Sequence, residues 1–421
     1  MSDPHTVARD CIEAGIAAAD PERAVRQQVA LDGETLRVGE ATFDLSDYDR
    51  VVVAGGGKAA AAVARGLEAV LGDRIDEGLI VTDGDTGAER VEVALGDHPV
   101  PSDRGVEATE RVIDLVETAD ERTLVLAPVT GGASALLVAP TVPLADMQTT
   151  TRALVESGAP IDAINAVRKR LSRVKGGGLA ERAAPASVVA LLVSDVVGDD
   201  PAVIASGPFC PDLPDLDAGT VLERYGIEVP ENVREALAER QAAEQDRAVD
   251  TSHVHTHLLA GARTAIDAAA AVAADAGYDP LVLASGMRGE ARECALAHVA
   301  IAEECRSAGD PADPPTALLS GGECTVTVRG DGRGGPNQEF ALAAALELPE
   351  GVTLASVDTD GRDGGTDVAG ALVDAATVEE AEPARDALAD NDAFPYLEAR
   401  DALLDLESTT NVNDLRVLLV E

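Results

Sequence analysis

The stretch VVVAGGGKAAA, residues 51–61, predicts a β-strand, a tight turn and an α-helix in direct succession. β-branched residues favour a buried strand, glycines permit a tight corner, and alanines favour a helix. The stretch RTLVLAPVTGGASALL, residues 122–137, repeats this order, and further apolar strands are predicted at 78–84 and 187–194. Apolar strands that alternate with helices predict a parallel sheet with helices on its faces.

A second α/β series follows, with strands predicted at 253–262, 280–286, 317–328 and 352–358. We therefore expect the α/β class, with two α/β domains of mostly parallel sheets flanked by helices. The charged stretch 227–252 has little apolar content and is expected to separate them. The expected domains are an N-terminal Rossmann-like domain, 1–240, and a C-terminal α/β domain, 250–421. Residues 1–30 predict one amphipathic helix.

The net charge of the chain argues against nucleic acid and anionic membranes as binding partners. With 76 acidic and 33 basic residues, its formal net charge is −43, spread along the whole length. Such a field repels nucleic acid and anionic membranes. It is typical of a halophilic protein, because concentrated salt shortens the screening length to about 3 Å and makes the self-repulsion tolerable.

The cysteine pattern indicates a cytoplasmic protein. The five cysteines form no CxxC pair, no disulfide framework and no metal spacing, which favours a reducing interior. The N-terminus does not resemble a signal peptide, and no stretch of 18 apolar residues predicts a membrane span.

Lysine is rare in this chain, and its positions indicate turns that could bind a ligand. The only three lysines are Lys58, Lys169 and Lys175, whereas the other 30 basic residues are arginines. All three lie in or beside glycine-rich or polar junctions, where a compact ammonium group could meet a ligand.

The first glycine turn has three interpretations. Gly55, Gly57 and Ala60 fit a G-x-G-x-x-A dinucleotide fingerprint, and Asp83 ends the next strand. This fit favours an NAD(P)-dependent hydroxyacid reductase. A P-loop is excluded, because Ala59 follows the lysine where Ser or Thr is required. A lysine that acts on a phosphate and a plain tight corner both remain open.

Two further stretches could bind an anion. Thr130, Gly131, Gly132 and Ser134 begin a predicted helix, where N–H groups and a hydroxyl could hold an anion or simply cap the helix. The stretch NAVRKRLSRVKGGGLA, residues 165–180, is the densest positive patch, and Lys175 before three glycines is its best ligand candidate. The alternative is a basic face that pairs with acidic neighbours.

Two acidic loops follow predicted strands. Asp195 lies in SDVVGDDP, residues 194–201, and DTDGRDGGTD, residues 358–367, contains four aspartates. The carboxyl ends of parallel strands are where such sheets bind ligands. One or two of these carboxylates could hold Mg²⁺ together with water, and the alternative is a solvated acidic turn.

These stretches occur in one order over about 320 residues: GGGKAA, TGGASALL, NAVRKRLSRVKGGGLA, SDVVGDDPAVIASGP, SGGECTVTV, GRGGPNQE and DTDGRDGGTDVAGA. In this order the chain resembles the class II glycerate kinases, the family with a MOFRL-type C-terminal segment, here about 317–415. The resemblance implies ATP-dependent phosphorylation of D-glycerate to 2-phosphoglycerate with Mg²⁺. It also implies an active site in the cleft between two α/β domains. The partners would be glycerate and the nucleotide, and a homodimer is compatible with it.

The resemblance also implies roles for particular residues. Lys58 would act at the transferring phosphate. Many members have arginine where Pro336 stands here, so that role is not carried over, but Arg333, three residues earlier, could reach the same anion and supply positive charge. From its own chemistry, Asp195 could orient the glycerate hydroxyl and accept its proton. Mg²⁺ would be held by Asp360 or Asp367. The substrate and nucleotide contacts would be Gly55, Gly56, Gly57, Thr130, Gly131, Gly132, Ser134, Asn165, Arg168, Lys175, Glu323 and Asn337. A reductase and a binding module for sugar phosphates without turnover are the alternatives.

Overall fold

Residues 24–259 form one unit, the central unit, and residues 1–23 with 260–421 form the other, the terminal unit. This division is that of a computed structural model, which describes residues 3–84, 87–211, 216–244 and 250–421. It differs from the expected domains 1–240 and 250–421, because the first 23 residues belong with the C-terminal half.

Helix α1 (Pro4–Ala18) explains the difference at the N-terminus. It buries Val7, Cys11 and Ile12 and packs against elements near the C-terminus. A Cβ atom added at Gly15 would lie 2.5 Å from Leu415 Cδ2, so the glycine permits this close approach. The predicted single helix over 1–30 is two helices, because the chain leaves helical conformation after Ala18.

The central unit contains a small antiparallel sheet, β1-β2-β3, and a six-stranded sheet with the order β6-β5-β4-β7-β8-β9. Its elements are α2 (Pro21–Gln28), β1 (Val29–Asp32), β2 (Thr35–Val38), β3 (Ala41–Asp44), β4 (Arg50–Gly56), α3 (Ala60–Leu71), β5 (Glu77–Thr82), β6 (Glu92–Leu95), α4 (Asp103–Glu117), β7 (Thr123–Thr130), α5 (Ala133–Leu136), α6 (Leu144–Glu156), α7 (Ile161–Arg170), α8 (Gly178–Ala183), β8 (Ser187–Val193), α9 (Ala218–Arg224), α10 (Glu231–Glu244) and β9 (Val254–Ala260). Short 3₁₀ helices lie at Leu45–Asp47, Gly72–Arg74 and Ile204–Ser206.

The six-stranded sheet has a topological switch point between β4 and β7. From β4 the chain moves outward through β5 to β6 and then returns to β7 on the other side of β4. Strand β4 pairs in parallel with both neighbours, and β7 pairs in parallel with β8. In open parallel sheets ligands bind at the carboxyl ends of the strands at this point. The parallel α/β prediction for this half of the chain is confirmed.

A helical layer occupies the part of the central unit that the sequence assigned to a linker. Val233 and Leu237 of α10 are buried in a cluster with residues of α6, α7 and α9, among them Leu154 and Val167. The part of the charged stretch at Glu231–Glu244 is therefore a packed helix, because its buried residues Val233 and Leu237 lie four apart on one face.

The terminal unit contains a mixed six-stranded sheet with the order β10-β11-β15-β12-β13-β14. Its further elements are α11 (Ala262–Asp275), β10 (Asp279–Glu290), α12 (Ala291–Ala308), β11 (Thr316–Thr325), α13 (Pro336–Ala345), β12 (Val352–Asp358), β13 (Gly370–Asp374), α14 (Ala381–Ala389), α15 (Ala393–Glu398), β14 (Leu403–Leu404) and β15 (Asp414–Val420). Strands β10 and β11 pair in parallel, whereas the pairs on either side of β15 and β13 are antiparallel. The α/β class is confirmed, and four of the five strand pairs in this sheet are antiparallel.

Among the helices in the described ranges, none combines the length and the apolar character needed to cross a membrane.

Candidate functional site

Lys58 lies at the switch point, in the turn between β4 and α3. The N–H of Lys58 donates to Gly131 O at 2.9 Å, and the N–H of Ala59 donates to Thr130 Oγ1 at 3.1 Å. The N–H of Ala60 donates to Gly57 O at 3.2 Å. These three donors of the turn already have protein partners, so they are not available for the pyrophosphate that the dinucleotide fingerprint requires.

The glycines of this turn serve packing between strands. A Cβ atom at Gly55 would lie 2.0 Å from Pro128 O, and one at Gly57 would lie 2.2 Å from Thr130 Oγ1. Gly55, Gly56 and Gly57 are buried, and Thr130 is fully buried. Their predicted role as ligand contacts is therefore revised: Gly55 and Gly57 bring β4 and β7 together, and Gly56 packs against Val81 of β5 and Leu137. The side chain of Lys58 is exposed at the surface of the turn.

Asp195 and the second glycine turn meet beside Lys58. A Cβ atom at Gly131 would lie 2.3 Å from Asp195 Oδ2, so only glycine leaves room for this carboxylate. A Cβ atom at Gly132 would lie 2.9 Å from Lys58 Cγ and 3.2 Å from His98 Cδ2. Burial raises the pKa of Asp195, and the nearby ammonium of Lys58 acts in the opposite direction. Three strand ends thus bring an ammonium, a carboxylate and an imidazole to one place.

A chain of hydrogen-bonded side chains follows the second glycine turn, residues 131–132, and links it to residues 165 and 206. The hydroxyl groups of Ser134 and Ser206 lie 3.1 Å apart, and Ser206 Oγ donates to Asn165 Oδ1 at 3.0 Å. Ser206 has a φ of 63°, a conformation that is uncommon for a residue with a side chain. Ser206 is not among the residues predicted from the sequence, because a positive φ at a serine has no sequence signal.

Lys175 belongs to the same supporting layer. Only 1% of it is exposed, and its Nζ donates to Leu137 O at 3.3 Å and to Ala205 O at 3.5 Å. Burial, with Arg168 nearby, lowers the pKa of Lys175 to about 7. This position does not fit direct contact with a ligand. The predicted contact is therefore revised to a proposed positioning role, in which Lys175 holds the turn after β7 against residues 204–206.

The guanidinium group of Arg168 has no carboxylate partner among the described residues. Arg168 lies one turn from Asn165 on α7 and is half-buried, and its side chain makes no hydrogen bond or salt bridge with another described residue. Burial lowers its pKa. Its neighbour Arg173, by contrast, pairs with Glu110. A half-buried guanidinium group without an anion is costly, and its planar donors match a carboxylate or phosphate.

The terminal unit uses the Asn-Gln-Glu motif as a buried cross-link. The amide of Asn337 donates to Asp414 Oδ1 at 2.6 Å and to Asp363 Oδ1 at 3.3 Å, and its Oδ1 accepts from Ser356 Oγ at 2.6 Å. Only 1% of Asn337 is exposed. The prediction that Asn337 contacts substrate is therefore revised: this side chain has no free polar group, and it joins α13 to three other segments.

Asp363 fastens the acidic loop to the start of α13. Its carboxylate accepts from the N–H groups of Asn337 and Gln338 at 2.9 and 2.8 Å. A Cβ atom at Gly335 would lie 2.4 Å from Asp363 Cγ, which explains why glycine precedes the helix. Two of the glycine-rich stretches in the sequence, GRGGPNQE and DTDGRDGGTD, thus meet through one buried carboxylate.

The carboxylates of the acidic loop were the predicted metal ligands. Burial and the neighbouring carboxylates of Asp360, Asp414 and Asp363 raise the pKa of Asp358 to about 8. Asp360 lies half-buried beside it, whereas Asp367 is exposed. Within the described ranges no three His, Cys, Asp or Glu side chains are grouped to hold a metal. Asp358 and Asp360 fit the one or two carboxylates with which Mg²⁺ is usually bound, because a cation would offset their mutual repulsion.

Arg333 and Glu323 are both exposed. The guanidinium group of Arg333 lies 3.9 Å from the ring centre of Phe394 and forms no salt bridge with a described carboxylate. Glu323 lies on β11, opposite Arg288 of β10 in the strand register. Exposure is what these two side chains share, in contrast to the buried Asn337 and Asp363.

Comparisons with known proteins identify the family. The profile described as a domain of unknown function, DUF4147, matches residues 7–238, and the MOFRL family profile matches residues 316–414. The D-glycerate 2-kinase of Thermotoga maritima is 39% identical over 436 residues, which cover 100% of both chains. The glycerate 2-kinase of Pyrococcus horikoshii is 35% identical over 96% of this chain and 94% of its own.

A solved structure agrees with these relatives. The crystal structure of glycerate kinase from Thermotoga maritima has a TM-score of 0.87 and 38% identity over 99% of each chain. A relative from Agrobacterium vitis, 39% identical over 98% of this chain and 94% of its own, bears a provisional hydroxypyruvate reductase name. The chain belongs to the family of the glycerate 2-kinases, in which a DUF4147 domain is joined to a MOFRL segment.

Proposed function

We propose that this protein is a glycerate 2-kinase, which transfers the γ-phosphoryl group of ATP to D-glycerate and forms 2-phosphoglycerate. One observation supports this proposal most directly: Lys58, Asp195 and the glycine turn 131–132 meet at the switch point of the parallel sheet. The relatives named glycerate 2-kinase support the choice of substrate.

The proposed chemistry needs a positive charge and a base. The hydroxyl oxygen of glycerate forms a bond to the γ-phosphorus, the bond from that phosphorus to the ADP oxygen breaks, and Asp195 accepts the hydroxyl proton. Lys58 places its ammonium where negative charge grows on the transferred group. Such transfers depend on positioning and charge stabilisation more than on covalent catalysis.

Binding of glycerate requires a local cation in a protein of net charge −43. We propose that Arg168 pairs with the glycerate carboxylate, because it is half-buried and makes no salt bridge with a described residue. Asn165 and Ser134 would complete the part of the site that binds the glycerate carboxylate. Both are held in place by hydrogen bonds to the hydroxyl group of Ser206.

We further propose that Mg²⁺ accompanies ATP and is held by Asp360 together with Asp358. The exposed Asp367 is a further candidate ligand. When bound, the ion would neutralise charge on the phosphate oxygens. Arg333 and Glu323 are proposed to contact the nucleotide. The protein is proposed to act in the cytoplasm, since all five cysteines are free thiols.

A coupled assay in concentrated salt tests the proposal. Enolase and pyruvate kinase should convert the product of ATP and D-glycerate to pyruvate without a mutase, because the product is 2-phosphoglycerate. Lys58→Ala should lower kcat by about a hundredfold or more, the loss typical when one stabilising donor is removed. Its melting temperature should stay unchanged, because the side chain is exposed. Near-normal turnover in Lys58→Ala would contradict the role of Lys58.

The same preparation tests the reductase alternative. A reductase should oxidise NADH when hydroxypyruvate is added. We expect no such oxidation, because the amide donors of the first glycine turn are already bonded to the turn after β7. Oxidation of NADH at a rate comparable to phosphoryl transfer would favour the reductase instead.

A further inference from the structure

His98 lies beside the proposed catalytic groups Lys58 and Asp195 and has no part in the proposed phosphoryl transfer. Its ring edge lies at Gly132, where an added Cβ atom would be 3.2 Å from His98 Cδ2 and 2.9 Å from Lys58 Cγ. The stem of Lys58 and the imidazole of His98 therefore flank the same glycine, and the φ of +79° at Gly132 also favours that residue.

The loop that contains His98 is held from several directions. The N–H of Gly96 donates to Thr82 O at 2.7 Å, and Arg104 binds Gly96 O at 3.0 Å and Asp97 Oδ2 at 2.7 Å. Gln148 donates to Pro101 O at 2.6 Å. The backbone on both sides of His98 is thus fixed, which places the ring without using its own nitrogen atoms.

The imidazole has both nitrogen atoms available. Neither forms a hydrogen bond with another described residue, and the side chain is exposed. Burial and the ammonium of Lys58 lower the pKa of His98, whereas Asp83 acts in the opposite direction. A neutral imidazole offers one donor and one acceptor, and a hydroxyl group can use both.

We infer that His98 determines specificity by binding the hydroxyl group of the acid substrate that is not phosphorylated. This inference rests on the proposed kinase function. Asp195 lies at Gly131 and is assigned to the reacting hydroxyl, so the imidazole at the next residue, Gly132, is left for the second hydroxyl. Lys58 already provides the positive charge, so a further cation is not required there.

The test compares glycerate with lactate, a 2-hydroxy acid that lacks the second hydroxyl. In His98→Ala, KM for glycerate should rise about tenfold to a hundredfold, the range expected when a hydrogen bond to a polar ligand is lost. The inhibition constant of lactate should change by less than about twofold, because lactate cannot make that bond. His98→Asn should recover part of the affinity for glycerate, because its amide keeps a donor and an acceptor.

The controls separate this inference from the kinase proposal. His5→Ala removes another exposed histidine, paired with Asp374 in the terminal unit, and should change neither constant. If the wild type releases no ADP with glycerate, the kinase function itself is wrong. If the wild type is active and His98→Ala leaves KM unchanged, or raises both constants equally, His98 does not bind the second hydroxyl.

A direct measurement covers the case in which His98→Ala fails to fold. Addition of glycerate to the wild type should shift the His98 ring signal in an NMR spectrum, assigned by its loss in His98→Asn, and lactate should not. No shift with glycerate in an active wild type would overturn the inference.

Discussion

Lys58 and Lys175 differ in environment although each lies beside glycines in a chain with only three lysines. Lys58 is exposed next to a carboxylate, whereas Lys175 is 1% exposed and bound to two carbonyl oxygens. The pKa of Lys175 is lowered to about 7 because burial disfavours its charged form. The rarity of lysine therefore points to two turns, but the two ammonium groups differ: one is exposed beside a carboxylate, and the other is buried against two carbonyl oxygens.

The pH dependence of turnover tests the role of Asp195. Burial raises its pKa above the ordinary 3.8, so the carboxylate becomes protonated at a higher pH than a solvated aspartate. A protonated carboxyl group cannot accept the hydroxyl proton, so kcat should fall as pH falls through this raised pKa. Asp195→Asn should lower kcat by about a hundredfold or more at every pH and abolish the acid limb.

Asp199→Asn is the matched control for this prediction. Asp199 lies four residues away in the same acidic loop, and its φ of 51° is one that asparagine tolerates well. It should retain the acid limb and most of the activity. An unchanged acid limb in Asp195→Asn would show that another group controls the pH dependence.

At the scale of the secondary-structure elements, the strand–turn–helix at 50–71 shows how a correct local prediction can suggest the wrong chemistry. Strand β4 and helix α3 form where the sequence predicts them, and the lysine lies at the turn between them. The glycines match a nucleotide fingerprint because both situations require another group to approach the turn closely: a pyrophosphate in the fingerprint and a neighbouring strand here. Strand β7, more than 60 residues away in the chain, occupies the space beside Gly55 and Gly57.

Gly55→Ala tests this interpretation of the turn. The added Cβ atom would lie 2.0 Å from Pro128 O, so β4 and β7 must separate. We therefore expect the free energy of unfolding to fall by about 3 kcal/mol or more. Gly84→Ala is the control, because an added Cβ there meets no atom within 4 Å. Thermal or urea unfolding in constant high salt measures both. Equal stability of the two variants would show that Gly55 is not required for strand packing.

Over the whole molecule, acidic residues far outnumber the arginines that could pair with them. Exposed pairs such as Arg122 with Asp49, 2.6 Å apart, are present, but exposed pairs contribute little to stability. The net charge of −43 is therefore largely uncompensated within the chain. Self-repulsion of this size destabilises a compact state unless salt screens it.

Unfolding measured across salt concentrations tests the halophilic prediction. The melting temperature should rise steadily between about 0.1 M and 1 M KCl, over which the screening length falls from about 10 Å to about 3 Å. Activity should be lost in dilute buffer together with the folded signal in circular dichroism. Full activity and an unchanged melting temperature at low ionic strength would refute the prediction.

The amino-acid sequence by itself determined the order of strands and helices, the positions of the glycine turns, the acidic surface and the resemblance to the glycerate kinases. These properties depend on residues that are near one another in the chain or on composition alone. Only the tertiary structure decided that α1 joins the C-terminal half, that Asn337 and Lys175 are buried, and that His98 stands beside Lys58. Burial and side-chain contacts depend on segments that are distant in the sequence. Local propensity does not specify which distant segment packs against a given residue.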